Sequence, residues 1–336
     1  LKIKKILKIT LILGQKFRTM KQFTCVADVR NFLYELVQDA IALKKNPFAH
    51  QHLGKNKVIG LVFMNPSLRT RLSTQRAALN LGMQTMVMNA DKDAWKMATG
   101  EGVVMNGDAA EHIKDAVAVM GQYCDILGLR SFATLVNKEE DYAEQNLNDF
   151  IRYSGVPVVS LESATRHPLQ SLADLVTIEE HKKKPRPKVV LTWAPHPRAL
   201  PQAVPNSFAE WMLAADVDLT ITHPEGYELD SSFTQGAKIV YDQTEAFKNA
   251  DFIYAKNWSS YQEYGQILLR DRSWTVSTEK MALTNNAHFM HCLPVRRNVV
   301  VDDAVIDSPQ SLIIPQAANR VWACQAVLKR MLESLQ

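Results

Sequence analysis

The chain has 336 residues, 46% of them hydrophobic and 22% charged, which is room for two domains with separate cores and too apolar for a disordered protein. No window approaches the roughly 20 uninterrupted apolar residues that a membrane-spanning helix needs, so no membrane partner is expected. The formal charge of +4 comes from 39 Lys and Arg against 35 Asp and Glu, but residues 1–19 hold six of the basic residues and no acid. The body of the chain, at 33 against 35, is slightly acidic, and a nucleic-acid partner is not expected.

In chain order, residues 1–19 interleave charge with apolar residues and lack a small-residue cleavage site, so they are expected to be a disordered extension ahead of a start at Met20. From about residue 57 to 316, short runs of Val, Ile and Leu alternate with helix-period stretches, the pattern of parallel sheets with crossover helices. Strands are predicted over 58–64, 86–89, 126–129, 156–161, 189–192, 219–222, 252–255, 288–290 and 312–314. The fold class is therefore α/β, with two doubly wound parallel-sheet domains joined by helices. A helical stretch over 168–184 ends in a lysine cluster and Pro185-Arg186-Pro187, where the hinge is placed. The predicted domains are 20–167 together with 317–336, and 168–316. The segment 316–336 reads as an amphipathic helix, with Val321, Val327, Leu328, Met331 and Leu335 in a stripe that folds back onto the first domain.

Ligands of open α/β sheets bind beyond the carboxyl ends of the strands, and the residues there are rich in chemistry. The first strong run is followed by Ser67-Leu68-Arg69-Thr70-Arg71 and a helix with Leu68, Leu72 and Leu79 on one side. A helix N-terminus with two arginines and two hydroxyls suits a phosphate. No Walker or GxGxxG pattern accompanies it, so nucleotide binding and nicotinamide chemistry are poorly supported. Later strand ends deliver Arg130, Glu162, His167, Gln170, His196, Lys256 and His291-Cys292-Leu293-Pro294-Val295-Arg296, and Trp95 stands in a loop between strands. The cysteines Cys25, Cys124, Cys292 and Cys324 show no metal-ligand spacing, so no metal is expected and a reduced cytoplasmic setting fits.

Ser67-Leu68-Arg69-Thr70-Arg71, His167-Pro168-Leu169-Gln170 and His291-Cys292-Leu293-Pro294, in this order, resemble the signature set of the transcarbamylases. The resemblance spans roughly residues 20–336 and implies a homotrimer with active sites shared between subunits. His-Cys-Leu-Pro resembles the ornithine branch, yet Asn257-Trp258-Ser259-Ser260-Tyr261 lacks the Ser-Met-Gly loop and Asp that receive a free α-amino group there. Lys92-Asp93-Ala94-Trp95, Trp193–Pro197 and the Arg296-Arg297-Asn298 extension look instead like the N-acylornithine transcarbamylases. Their acetyl members carry Glu where this chain has Ala110, and can carry Lys where it has Val300. A carboxylate beside the acyl pocket would repel the second carboxylate of a succinyl group, so N-succinylornithine is expected, with N-acetylornithine as the alternative. A non-catalytic binding protein of the same fold is the distant alternative.

The resemblance implies that Ser67, Leu68, Arg69, Thr70 and Arg71 bind phosphate, with Trp95 entering a neighbouring subunit's site. Arg130 and His167 are expected to stabilise negative charge on the carbonyl oxygen, and Gln170 and the Leu293 carbonyl to hold the carbamoyl NH2. Cys292 is expected to orient the amine rather than to form a covalent bond. Ala110, Glu162, His196, Lys256 and Arg296 are left for acylornithine, and no cofactor is expected.

Overall fold

The structure is a computed structural model that describes residues 20–90 and 92–336; the extension expected over 1–19 lies outside the described residues. The strands are β1 (Gln22–Phe23), β2 (Val58–Phe63), β3 (Gln84–Asn89), β4 (Met97–Ala98), β5 (Glu111–His112), β6 (Ile126–Arg130), β7 (Val158–Glu162), β8 (Lys188–Trp193), β9 (Asp218–Thr222), β10 (Lys238–Val240), β11 (Phe252–Lys256) and β12 (His288–Met290). The helices that matter here are α1 (Leu33–Lys45), α2 (Arg69–Asn80), α3 (Ile113–Tyr123), α4 (Gln145–Tyr153), α5 (Pro168–His181), α6 (Ala203–Ala214) and α7 (Ile313–Ser334).

Two five-stranded sheets result, ordered β1-β7-β6-β2-β3 and β10-β9-β8-β11-β12, with every pairing parallel. Helices cover both faces, which is why β2 and β8 are buried almost throughout and read as unbroken apolar runs. In the first sheet the chain steps from β2 out to β3 and returns on the other side of β2 as β6. In the second it steps from β8 to β9 and β10 and returns beside β8 as β11. Such reversals open a crevice at the carboxyl ends, and the register puts Phe63 opposite Arg130 and Trp193 opposite Lys256 at the two crevices.

α5 and α7 tie the halves together. α5 is buried on every side from Pro168 to Ile178, and it packs on α7 and α6. Leu61 of the first sheet and Leu191 and Trp193 of the second belong to one continuous apolar cluster.

Two readings of the sequence need revision, and a third gains a detail. The strand expected over 312–314 is the first turn of α7, where a run of three apolar residues cannot by itself distinguish strand from helix. Ser311 still makes a single parallel bridge beside Phe289. The edge strands β1 and β10 and the small β4–β5 ribbon were not predicted, being two or three residues long. Leu68, Leu72 and Leu79 do share one side of α2, but all three are exposed, and Thr70, Ser73, Thr74, Ala77 and Ala78 face the interior.

Candidate active site

The turn after β2 runs into α2 with Leu68 at the N-cap position, and no side chain caps the helix. The first N–H groups of α2 are thus left for a ligand. Beside it, β6 ends at Arg130 and β7 at Glu162. Arg130 Nη1 donates to Glu162 Oε2 at 2.6 Å and to Thr70 Oγ1 at 3.0 Å. His167 Nε2 lies 3.3 Å from the same carboxylate oxygen. His167 is itself the N-cap of α5, again without a side-chain cap, and Pro168 opens that helix with no N–H to satisfy.

A fifth member comes from α7. Arg320 donates to Thr70 Oγ1 at 2.7 Å and to Gln170 Oε1, and its Nη1 lies 3.3 Å from His167 Nε2. Arg320 was not among the residues expected from the sequence, although a signal exists. Gln316, Asn319 and Arg320 are spaced at i, i+3 and i+4 with Ala323 and Val327 following on the same face, and all five are buried.

The charges in this cluster do not balance. Burial pushes the Glu162 carboxyl up, while Arg130 and Arg320 pull it back down. Burial, with Arg320 and Arg130 adding to it, holds His167 well below the ordinary imidazole range, so the ring is neutral at pH 7. The side chains of Arg69 and Lys256 make no hydrogen bond or ion pair among the described residues, yet both act on His167. Four cations therefore surround one carboxylate. Arg130 Nε, Arg320 Nε and His167 Nδ1 are buried without a partner. Such an excess of half-buried positive charge is costly unless an anion joins it.

The second crevice is more open. Lys256, at the end of β11, acts on Glu162, His291 and Cys292. His196, half-buried after β8, has its Nδ1 2.9 Å from the Arg198 carbonyl oxygen, and Arg296 Nε reaches its Nε2 at 3.4 Å. Burial keeps His196 below its usual range, so it accepts from Arg296 rather than repelling it. Cys292 is buried, which raises its thiol pKa, with Lys256 opposing. Leu293, with φ 56°, sits in the left-handed region that side-chain-bearing residues rarely adopt. The segment Asn257–Tyr261 forms a floor: Trp258 is fully buried with Nε1 donating to the Tyr227 carbonyl at 2.8 Å, and Asn257 Nδ2 donates to the Ala194 carbonyl at 2.6 Å.

The structure thus gathers Arg69, Thr70, Arg130, Glu162, His167, Gln170, Lys256 and Cys292 around one crevice, with His196 and Arg296 paired beside it. Arg71 turns aside, donating to Asn89 Oδ1 at 3.1 Å. Ser67 is half-buried in the turn, and Leu68 contributes only backbone there. Trp95 and Ala110 lie in the loop around β4 and β5, tied to their own loop: Trp95 Nε1 donates to Glu111 Oε2 at 2.8 Å, and Ala110 N–H to the Lys96 carbonyl at 3.0 Å. Neither bonds to the cluster. Val300 is packed in the apolar core of the second half beside Val276 and Val301, so its side chain does not line the crevice.

Two doubly wound sheets whose reversal points meet at a cationic crevice define a two-domain α/β enzyme. The chain belongs to the aspartate/ornithine carbamoyltransferase family. Residues 21–180 match the family's carbamoyl-phosphate-binding domain and residues 201–331 its Asp/Orn-binding domain. It is 60% identical to the N-succinylornithine carbamoyltransferase of Bacteroides thetaiotaomicron over 94% of this chain and 100% of that one. It is 37% identical to the N-acetylornithine carbamoyltransferase of Xanthomonas campestris pv. campestris over 92% and 97%. Among solved structures, a mutant N-acetyl-L-ornithine transcarbamylase complexed with carbamyl phosphate and N-succinyl-L-norvaline superposes with a TM-score of 0.87 at 37% identity, covering 93% of this chain and 99% of that one.

Proposed function

We propose that this carbamoyltransferase moves the carbamoyl group of carbamoyl phosphate to the δ-amine of N-succinylornithine, giving N-succinylcitrulline and phosphate on the way to arginine. The observation that carries the reading is the surplus of four cations over one carboxylate, with the three guanidinium groups Arg69, Arg130 and Arg320 on the phosphate side beside two uncapped helix ends and Lys256 on the acceptor side. The unit 20–167 with 317–336 supplies that half, and 168–316 supplies the acceptor half. Ser67, the Leu68 backbone, Arg69 and Thr70 hold the phosphate; Arg71, first expected there too, is engaged with Asn89 and is left out of this role. Arg130, His167 and Arg320 face the carbonyl oxygen, where negative charge grows as the amine attacks. Gln170 and the Leu293 carbonyl hold the carbamoyl NH2, and Cys292, protonated and buried, orients the amine. Glu162, His196, Lys256 and Arg296 receive the acylornithine, its carboxylates meeting the cations.

The acceptor amine, with a pKa near 10.4 for a lysine-like group, must be neutral to attack, so the rate rises with pH. Attack on an already activated acyl phosphate is then a matter of orientation and charge stabilisation. The succinyl preference is supported by Ala110, which removes a like charge, and by the names of the 60% identical relatives. A homotrimer is supported by the exposed Leu68, Leu72, Leu79 and Met86 and by the 59% exposed Trp95, which would enter a neighbouring site. The four free cysteines fit a cytoplasmic, reducing compartment. The test offers ornithine, N-acetylornithine and N-succinylornithine side by side with carbamoyl phosphate. Turnover confined to the succinyl compound supports the reading; preference for the acetyl compound removes Ala110 from the account, and silence with all three removes the reaction.

A further inference from the structure

Asp174 lies on α5 one turn beyond Gln170 and is fully buried, yet it forms no ion pair among the described residues. Its Oδ1 accepts Gln170 Nε2 at 2.7 Å and Gln316 Nε2 at 2.7 Å. A carboxylate oxygen offers lone pairs, so it selects the NH2 end of each amide and turns each amide oxygen the other way. The Gln170 oxygen then accepts from Arg320. The Gln316 oxygen accepts the backbone N–H of His291 at 2.9 Å, and His291 Nδ1 accepts the N–H of Leu293 at 2.9 Å. On its other side, the Tyr254 hydroxyl of β11 lies beside both Asp174 and the Cys292 thiol, without an aligned hydrogen bond to either. One side chain thereby links Gln170, one turn earlier on α5, to the helix α7 and, through Gln316, to the segment after β12.

We infer that Asp174 is a positioning residue: it fixes the amide orientation of Gln170 and, through Gln316, the backbone of His291–Leu293, so that both groups holding the carbamoyl NH2 are set from one carboxyl group. The inference rests on the proposed roles of Gln170 and Leu293. Asp174 makes no direct hydrogen bond to the phosphate loop at Ser67–Arg71 among the described residues; it meets that loop only at second hand, through Gln170 and Arg320, and Arg320 keeps its own bond to Thr70. Its loss should therefore spare phosphate and damage recognition of the carbamoyl group.

The test uses the full chain as wild type, Asp174→Ala, Asp174→Asn and Gln316→Met. Inorganic phosphate and carbamoyl phosphate are titrated calorimetrically, and kcat and KM are measured with the best acceptor. Asp174→Ala should keep phosphate affinity within about threefold, lose about tenfold of the preference for carbamoyl phosphate over phosphate, and lose about thirtyfold in kcat. Asp174→Asn, whose amide oxygen accepts the same two N–H groups, should recover both to within about fivefold. Gln316→Met should show the same pattern at about threefold to tenfold, because only the His291 branch is cut. Wild-type preference and kcat in Asp174→Ala would overturn the inference, as would an Asn variant that falls as far as the Ala variant. If the Ala variant does not fold, an unchanged Gln316→Met decides against it. A wild type that binds carbamoyl phosphate no better than phosphate refutes the reading of the site itself, a result separate from any difference among the variants.

Discussion

The two crevices of this molecule are built to different standards. At the first, Thr70, Arg130, Glu162, His167, Gln170 and Arg320 are all buried and bonded to one another, so the donors are in place before a ligand arrives. At the second, His196 and Arg296 are joined by one long contact, Arg296 is exposed, and the Lys256 side chain makes no hydrogen bond or ion pair among the described residues. A pre-set pocket suits a small rigid anion whose shape never varies, and it minimises reorganisation as charge develops. A looser one suits a flexible acceptor with two carboxylates, and it leaves specificity to be set by a few side chains.

The contrast makes a ranked set of predictions. Arg320→Ala removes a donor from Thr70, Gln170 and the His167 side at once, and kcat/KM should fall by about 10³ or more. A loss below about tenfold would show that the first crevice is less integrated than its bonding implies. Ala110→Glu should shift the ratio of kcat/KM for succinyl over acetyl acceptors by about thirtyfold toward acetyl. An unchanged ratio would return specificity to the crevice itself. Arg296→Ala should raise the acceptor KM about tenfold and leave phosphate affinity untouched; equal damage to both would mean the halves do not act separately. Because burial raises the Cys292 thiol pKa, the group stays protonated at pH 7. Iodoacetamide should therefore alkylate it more slowly than free cysteine, and Cys292→Ser should cost about tenfold in kcat rather than abolish turnover.

Two pH effects are smaller. His167 is held well below its ordinary range by burial and by Arg320, so kcat/KM should rise with pH without an inflection between 6 and 7. Burial raises Asp174 to about 7 from a usual 3.8. The folded protein then holds a proton that the unfolded chain has released between those values. The stability this group contributes is present below pH 3.8 and is lost as pH rises through about 7. Denaturant midpoints measured from pH 4 to 8 should fall less in Asp174→Asn than in wild type, and equal slopes would place the proton elsewhere.

Much of the first crevice was legible because its residues sit where strands end, and strand ends are marked by apolar runs: Arg130 after Ile126–Leu129 and Glu162 at the end of the run that forms β7 are examples. Arg320 was hidden because it lies mid-helix. Reading α7 only for its apolar stripe passed over Gln316, Asn319 and Arg320 on the same face. The outward stripe of Leu68, Leu72 and Leu79 shows the opposite limit: periodicity locates a face but not what covers it. Leu312–Ile314 shows a third, since three apolar residues carry too little period to separate a strand from the start of a helix.

The delivery of Arg320 and Gln316 by α7 also bears on how the enzyme comes into being. Both sheets are complete by Met290, yet the cluster at Thr70 lacks its second guanidinium until residue 320 has been synthesised and α7 has docked against α1, α2 and α5. Before then the chain lacks both that guanidinium and the apolar residues Ala323, Val327, Leu328 and Met331 that α7 adds to the shared core, so completion of the core and of the cationic cluster is one event, the docking of α7.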